Sequence, residues 1–222
     1  MSIDADNLKQ PVHLHVYQRV RDMILFGELT PGEAVTIQGL TNVLGVGMTP
    51  AREAIRRLTT EGALEFLGNR RVCVPLLTIS ALEELAFARC AIEPKLAYWA
   101  TENMSASKIN ELNIIDQAVN SAVSHGNVRD YLIQNHRFHM AIYRQANKPE
   151  LLSIIERLWL KTGPSMRVIC GRIGTQNLPD THQIALDGLR NNDAEQAEKA
   201  IYDDILQGVD SLKIILKESE KQ

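Results

Sequence analysis

Between Val12 and Phe26 the apolar positions Leu14, Val16, Val20, Ile24 and Leu25 recur at mostly helical spacing and stop at Gly27. That pattern predicts an amphipathic helix with a glycine stop. A Pro31-Gly32 turn follows, then two short helical patterns over 37–44 and 49–61, separated only by Gly45-Val46-Gly47-Met48. Two short helices joined by so brief a Gly-bearing turn make the pattern of a helix-turn-helix. Thr49 is the expected cap of the second helix, with Pro50 in its first position and Glu53 completing a capping box. Past Gly62, the apolar runs 63–67 and 71–74 flank Gly68-Asn69-Arg70, as in a β-hairpin. A hairpin placed directly after a helix-turn-helix is a wing, and Pro75 ends it.

From Ser80 onward no strand pattern occurs. Ser80 and Glu83 are spaced as a capping box opening a helix to about Asn103, and Ser105 or Ser107 opens the next, whose face carries Ile109, Leu112, Ile115, Val119 and Ala122. Asn127 is the expected cap of a third helix, and Pro149 opens a fourth that Gly163-Pro164 should kink or break. A shorter helix is expected near 181–190, and Asp193 with Gln196 starts a last one to about Leu216. The chain is therefore expected to be mainly α: a winged helix-turn-helix over residues 1–76, then an antiparallel α-helical bundle over 77–222.

Composition narrows the class. Of 222 residues, 45% are apolar and 23% charged, as in soluble globular proteins. No apolar run approaches the roughly 18 residues that span a bilayer. The first ten residues are polar and include Asp4 and Asp6, which speaks against a secretory signal. Cys73, Cys90 and Cys170 are scattered and odd in number, so a reducing, cytoplasmic setting is expected and a disulfide framework is not.

The net charge of −3 does not announce a nucleic-acid partner. Locally the balance changes: between 46 and 71, Arg52, Arg56, Arg57, Arg70 and Arg71 face only Glu53, Glu61 and Glu65. A docking surface for DNA needs positive charge of this local kind. The second short helix would enter the major groove, where Arg52, one turn in, can chelate guanine O6 and N7 and discriminate by about 1–3 kcal/mol. Thr49 at its tip suits a phosphate or a thymine methyl. Of Arg56 and Arg57, one is expected on phosphate and the other paired with Glu53 or Glu61. Asn69, Arg70 and Arg71 in the wing suit the minor groove or its phosphates.

The segment from Leu29 to Leu64 closely resembles the GntR family of regulators. The resemblance rests on Pro31-Gly32, Leu44-Gly45-Val46, the run Thr49-Pro50-Ala51-Arg52-Glu53-Ala54-Ile55-Arg56-Arg57-Leu58, and Glu61-Gly62. It implies a DNA-binding winged helix and a phosphate contact at Gln38. Met48 departs from the family, which usually carries arginine before Thr-Pro, so the operator should differ from the commonest family sites.

The C-terminal part resembles the FCD domain of the FadR-like branch, through Arg89 to Glu93, Asn135-His136-Arg137-Phe138-His139, Asn147 with Pro149, Thr181-His182, and Asp193 to Ala197. The resemblance implies a divalent-metal set of Asn135, His139, His182 and Asp204, the last standing where the family has a histidine. Two imidazoles and a carboxylate suit zinc, nickel or manganese. The other reading is a metal-free polar cavity in which His139 and His182 bind the effector directly. Arg89 matches a family arginine for an effector carboxylate, or else pairs with Glu93 one turn on. Arg167 is a second anion candidate. A homodimeric repressor on an inverted-repeat operator, controlled by a small carboxylate metabolite, is the expected function. A metal-responsive regulator and a metal-dependent hydrolase are the alternatives.

Overall fold

The computed structural model describes residues 11–68, 71–172 and 180–219, with backbone alone over 167–172 and at 219. It divides into two compact units, one ending at Leu76 and the other starting at Leu77. The first contains α1 (Val12–Leu25), α2 (Ile37–Leu44), α3 (Met48–Thr60), β1 (Glu65–Leu67) and β2 (Arg71–Cys73). The second holds α4 (Ile79–Thr101), α5 (Ala106–Ser124), α6 (Val128–Gln145), α7 (Pro149–Arg172), α8 (Thr181–Arg190) and α9 (Ala194–Ser219).

In the first unit α1 and α2 both pack on α3. Ala51, Ala54, Ile55 and Leu58 repeat at helical spacing and are buried, so α3 has one face in the core and its other face outward. Leu40 anchors α2, and Val16, Val20 and Ile24 anchor α1. Gly45 ends α2 at φ 65°, a left-handed backbone that glycine adopts without steric cost. Strands β1 and β2 pair antiparallel, Phe66 opposite Val72. The hairpin also meets the segment after α1, with Val35 N–H donating to the Val72 carbonyl and Ala34 bridging Cys73. That third, strand-like contact was not expected from the pattern.

Three local expectations need correction. Helix α3 begins at Met48, one residue early, and its N-cap is Gly47 with no side-chain cap bond; Thr49 lies inside the first turn. Helix α4 is capped by Thr78, whose side chain accepts from the Ala81 N–H, and not by Ser80. Gly163-Pro164 does not break α7, which runs from Pro149 to Arg172 with Pro164 inside it, as α4 contains Pro94. Tertiary packing supports these prolines, since both are buried. Asn127, Asp180 and Ser105 cap α6, α8 and α5 through their side chains.

In the second unit α9 lies along α4 and α8, and α5 along α6. Gly188 sets the closeness of α8 and α9. A Cβ there would meet Ala197 N at 2.7 Å and Asp193 O at 3.0 Å, so any side chain would push the two helices apart.

Candidate functional site

Two surfaces carry chemistry, one in each unit. On α3 the outward face presents Met48, Thr49, Arg52, Glu53 and Arg56, and Met48 is 55% exposed. The three arginines differ in what already holds them. Arg56 makes a two-pronged pair with Glu53, Nε to Oε2 at 3.1 Å and Nη2 to Oε1 at 2.6 Å. Arg57 donates to Glu61 at 3.0 Å and lies 3.7 Å over the Tyr17 ring, while the Tyr17 hydroxyl donates to Glu61 at 2.7 Å. Burial and the Glu61 carboxylate push the Tyr17 pKa up to about 12. Arg52 is exposed and has no ion-pair partner among the described residues. Gln38, exposed on α2, donates to Asn42 at 2.9 Å. Arg71 is exposed at the start of β2, whereas Asn69 and Arg70 lie outside the described residues.

In the helical unit, α6, α8 and α9 bring His139, His182 and Asp204 together, one ligand atom from each lying within 4.8 Å of the others. His139 is fully buried, and its Nε2 faces Asp204 Oδ2 at 3.3 Å without a well-aligned hydrogen bond. His182 Nε2 lies 4.0 Å from Asp204 Oδ1. Thr181 donates its hydroxyl to the same Oδ1 at 2.7 Å. The outer nitrogens are tied away from this centre. His182 Nδ1 sits 3.0 Å from Asp116 Oδ1, and His139 Nδ1 sits 3.0 Å from the Tyr143 hydroxyl oxygen. Phe138 stacks on the His182 ring at 4.0 Å between centroids and fixes its plane.

The electrostatics follow from these partners. Burial opposes charge on His182, but the hydrogen bond to Asp116 and the charge of Asp204 outweigh it and raise its pKa. Burial likewise opposes charge on Asp204, yet His139, His182 and Thr181 together hold its carboxyl well below the usual range. An inward-facing, unbonded Nε2 on a fully buried histidine, beside a second Nε2 and an ionised carboxylate, is a donor set that fits a divalent cation. Asn135, one turn before His139, shares with His182, Asp204, Asp116 and Thr181 the lining of a cleft of about 190 Å³.

Behind His139 lies a buried polar cluster centred on Glu93. Tyr143 donates to Glu93 Oε2 at 2.7 Å, Trp159 Nε1 donates to the same oxygen at 3.1 Å, and Arg89 Nε donates to Oε1 at 2.5 Å. Arg89 also lies 4.7 Å over the Trp159 ring. Its guanidinium is thus engaged one turn along its own helix. Burial, then Glu93, keeps the Tyr143 pKa well above its ordinary value. Arg167 lies within α7, and its side chain is outside the described residues.

Residue patterns alone did not single out Asp116 or Tyr143, whereas the spacing of Arg89 and Glu93 did offer the ion pair that forms. Asp116 did leave a signal: it is an acidic residue directly after Ile115 on the apolar face of α5, and it is buried there. Buried carboxylates are rare unless paired.

Comparison with known proteins places both units. Residues 13–74 match the bacterial regulatory proteins of the gntR family, and residues 84–206 match the FCD domain. The HTH-type transcriptional regulator McbR of Escherichia coli strain K12 is 26% identical over 199 residues, covering 88% of this chain and 90% of that one. A probable D-xylose utilization operon transcriptional repressor of Paenarthrobacter nicotinovorans is 26% identical, covering 84% of each chain. Among solved structures, E. coli McbR/YncC superposes with a TM-score of 0.86 over 92% of this chain and 98% of the other. A putative GntR regulator from Rhodococcus sp. RHA1, 17% identical, shares the fold at a TM-score of 0.75 over 90% of this chain and 96% of its own. The chain belongs to the GntR family of bacterial transcriptional regulators, with an FCD domain as its C-terminal unit.

Proposed function

We propose that this regulator acts as a homodimeric repressor on an inverted-repeat operator, and that a small ligand in the helical cleft sets its operator affinity. The reading rests on one observation above the rest: His139 Nε2, His182 Nε2 and Asp204 converge, while both Nδ1 atoms are held from outside. Histidine ligands of metals are usually oriented in this way by a partner on the far nitrogen. His139, His182 and Asp204 would hold a divalent cation such as zinc, nickel or manganese, with Asn135 at the edge of the cleft. Such a cation would supply positive charge in a cleft that Asp116, Asp180 and Asp204 otherwise make acidic, and so a place for a carboxylate effector.

A metal-free reading draws on the raised His182 pKa, because an imidazolium between Asp116 and Asp204 would balance their charge without a metal. On the DNA side, Arg52 on the free face of α3 is the base-reading residue, and Thr49, Gln38, Arg56, Arg57 and the wing position it. One helix reads only a few base pairs, so two-fold pairing supplies the remaining specificity. The relatives named above are all called transcriptional regulators or repressors, which favours a switch over a hydrolase.

The test is to titrate operator affinity of chelator-stripped protein with zinc alone, then with zinc and a panel of small carboxylates. A response only in the second arm supports the metabolite switch. A full response to zinc alone makes the protein a metal sensor, and a carboxylate response without metal restores the metal-free cavity.

A further inference from the structure

His139 and Tyr143 stand one helical turn apart on α6, and Glu93 meets Tyr143 from α4. A phenolic hydroxyl carries one proton. The Tyr143 oxygen lies 2.7 Å from Glu93 Oε2, which also accepts from Trp159 Nε1, while Glu93 has Arg89 as its counter-ion. Two oxygens at that distance need a proton between them, and a carboxylate in this setting only accepts. The Tyr143 proton therefore points at Glu93, and the hydroxyl can meet His139 Nδ1, 3.0 Å away, only by accepting. A neutral His139 must then carry its proton on Nδ1, which leaves Nε2, 3.3 Å from Asp204 Oδ2, unprotonated. His182 reaches the same state in one step, because its Nδ1 faces the Asp116 carboxylate directly.

We propose that Glu93 and Tyr143 are positioning residues for the cation site: through one relayed hydrogen bond they fix His139 in the tautomer that leaves Nε2 free to bind. Arg89 serves this relay as the fixed charge behind Glu93 and does not itself receive the effector. The inference rests on the metal reading for its purpose, but its geometry belongs to the protein without metal.

Two measurements on the full-length protein separate the two. The first is NMR of isotope-labelled histidine in chelator-stripped protein, at a pH where His139 is neutral. The wild type should show the His139 proton on Nδ1. Tyr143→Phe, which keeps the ring and removes the acceptor, should move it to Nε2, where Asp204 can accept it. The second is zinc affinity by competition with a chromophoric chelator. Tyr143→Phe and Glu93→Gln should each weaken zinc about 10- to 100-fold, the usual effect of losing a partner behind a ligating histidine.

A packing defect alone would lower Tm without moving the tautomer. A wild-type proton on Nε2, or a tautomer unchanged in Tyr143→Phe, overturns the relay even if zinc binds. A wild type that ignores zinc yet keeps its proton on Nδ1 sinks the metal reading and leaves the relay standing. Should Tyr143→Phe not fold, the wild-type spectrum still decides.

Discussion

Nδ1 of His182, on α8, lies 3.0 Å from Oδ1 of Asp116, on α5, so a carboxylate 66 residues earlier in the chain sets the orientation of a candidate ligand. The contact leaves Nε2 of His182 directed at Asp204. Asp116→Asn keeps the shape and removes the charge, and an amide can present its N–H₂ to the imidazole and reverse the tautomer. The expected outcome is a zinc affinity about 10- to 100-fold weaker with operator affinity unchanged, read by chelator competition and by DNA titration of the same preparation.

His139→Ala combined with His182→Ala should abolish the effector response while operator binding persists. The two substitutions empty the convergent centre whether it holds a cation or the ligand itself. Without differential affinity for its two states, the protein has nothing to shift its equilibrium. Elemental analysis beside the wild type tells the two cases apart. A double mutant that still responds normally would place sensing elsewhere.

Arg52→Ala should remove specific operator binding and leave folding intact, because Arg52 is exposed on α3 and free of ion pairs among the described residues. Arg56→Ala should cost less, since Glu53 already neutralises that guanidinium. At matched salt, the loss at Arg52 should be about 1–3 kcal/mol for each half-site and confined to the cognate sequence. Equal losses on cognate and random DNA would reduce Arg52 to a phosphate contact.

The active form should sediment as a dimer at micromolar concentration and protect an inverted repeat whose half-sites are about one helical turn apart. A monomer both free and on DNA would contradict this reading.

Tyr17 supplies a pH test inside the DNA-binding unit. Its folded pKa of about 12 lies above the ordinary value of 10.0, so the fold favours the protonated phenol. The stability this provides is fully present below the unfolded pKa and is lost as pH rises through the folded one. The stability difference between wild type and Tyr17→Phe should therefore shrink across that interval. A difference that stays constant through it would mean that folding does not raise the Tyr17 pKa.

The chain's own pattern determined the elements and the class. Alternation and helical spacing marked the helix-turn-helix, the wing and the helical second unit, because each element must bury one face and that face repeats with the period of its backbone. The run from Thr49 to Leu58 placed Arg52 outward for the same reason: its neighbours Ala51, Ala54, Ile55 and Leu58 are the ones the core needs. The resemblance to the FCD domain also implied His139, His182 and Asp204, but it could not show that they meet in this chain. That depended on α8 and α9 closing tightly at Gly188 and on α6 packing beside them, distances that no local rule contains. Of the two outcomes expected at Gly163-Pro164 the break does not occur, Pro164 being buried inside a continuous α7, and α3 starts at Met48 with Gly47 in place of a side-chain cap. The roles of Tyr143 and Asp116, and the bond from Tyr143 to Glu93, became readable only in three dimensions, because a hydrogen bond joins donor to acceptor across helices far apart in sequence, and only the folded chain fixes which partner holds each histidine's Nδ1.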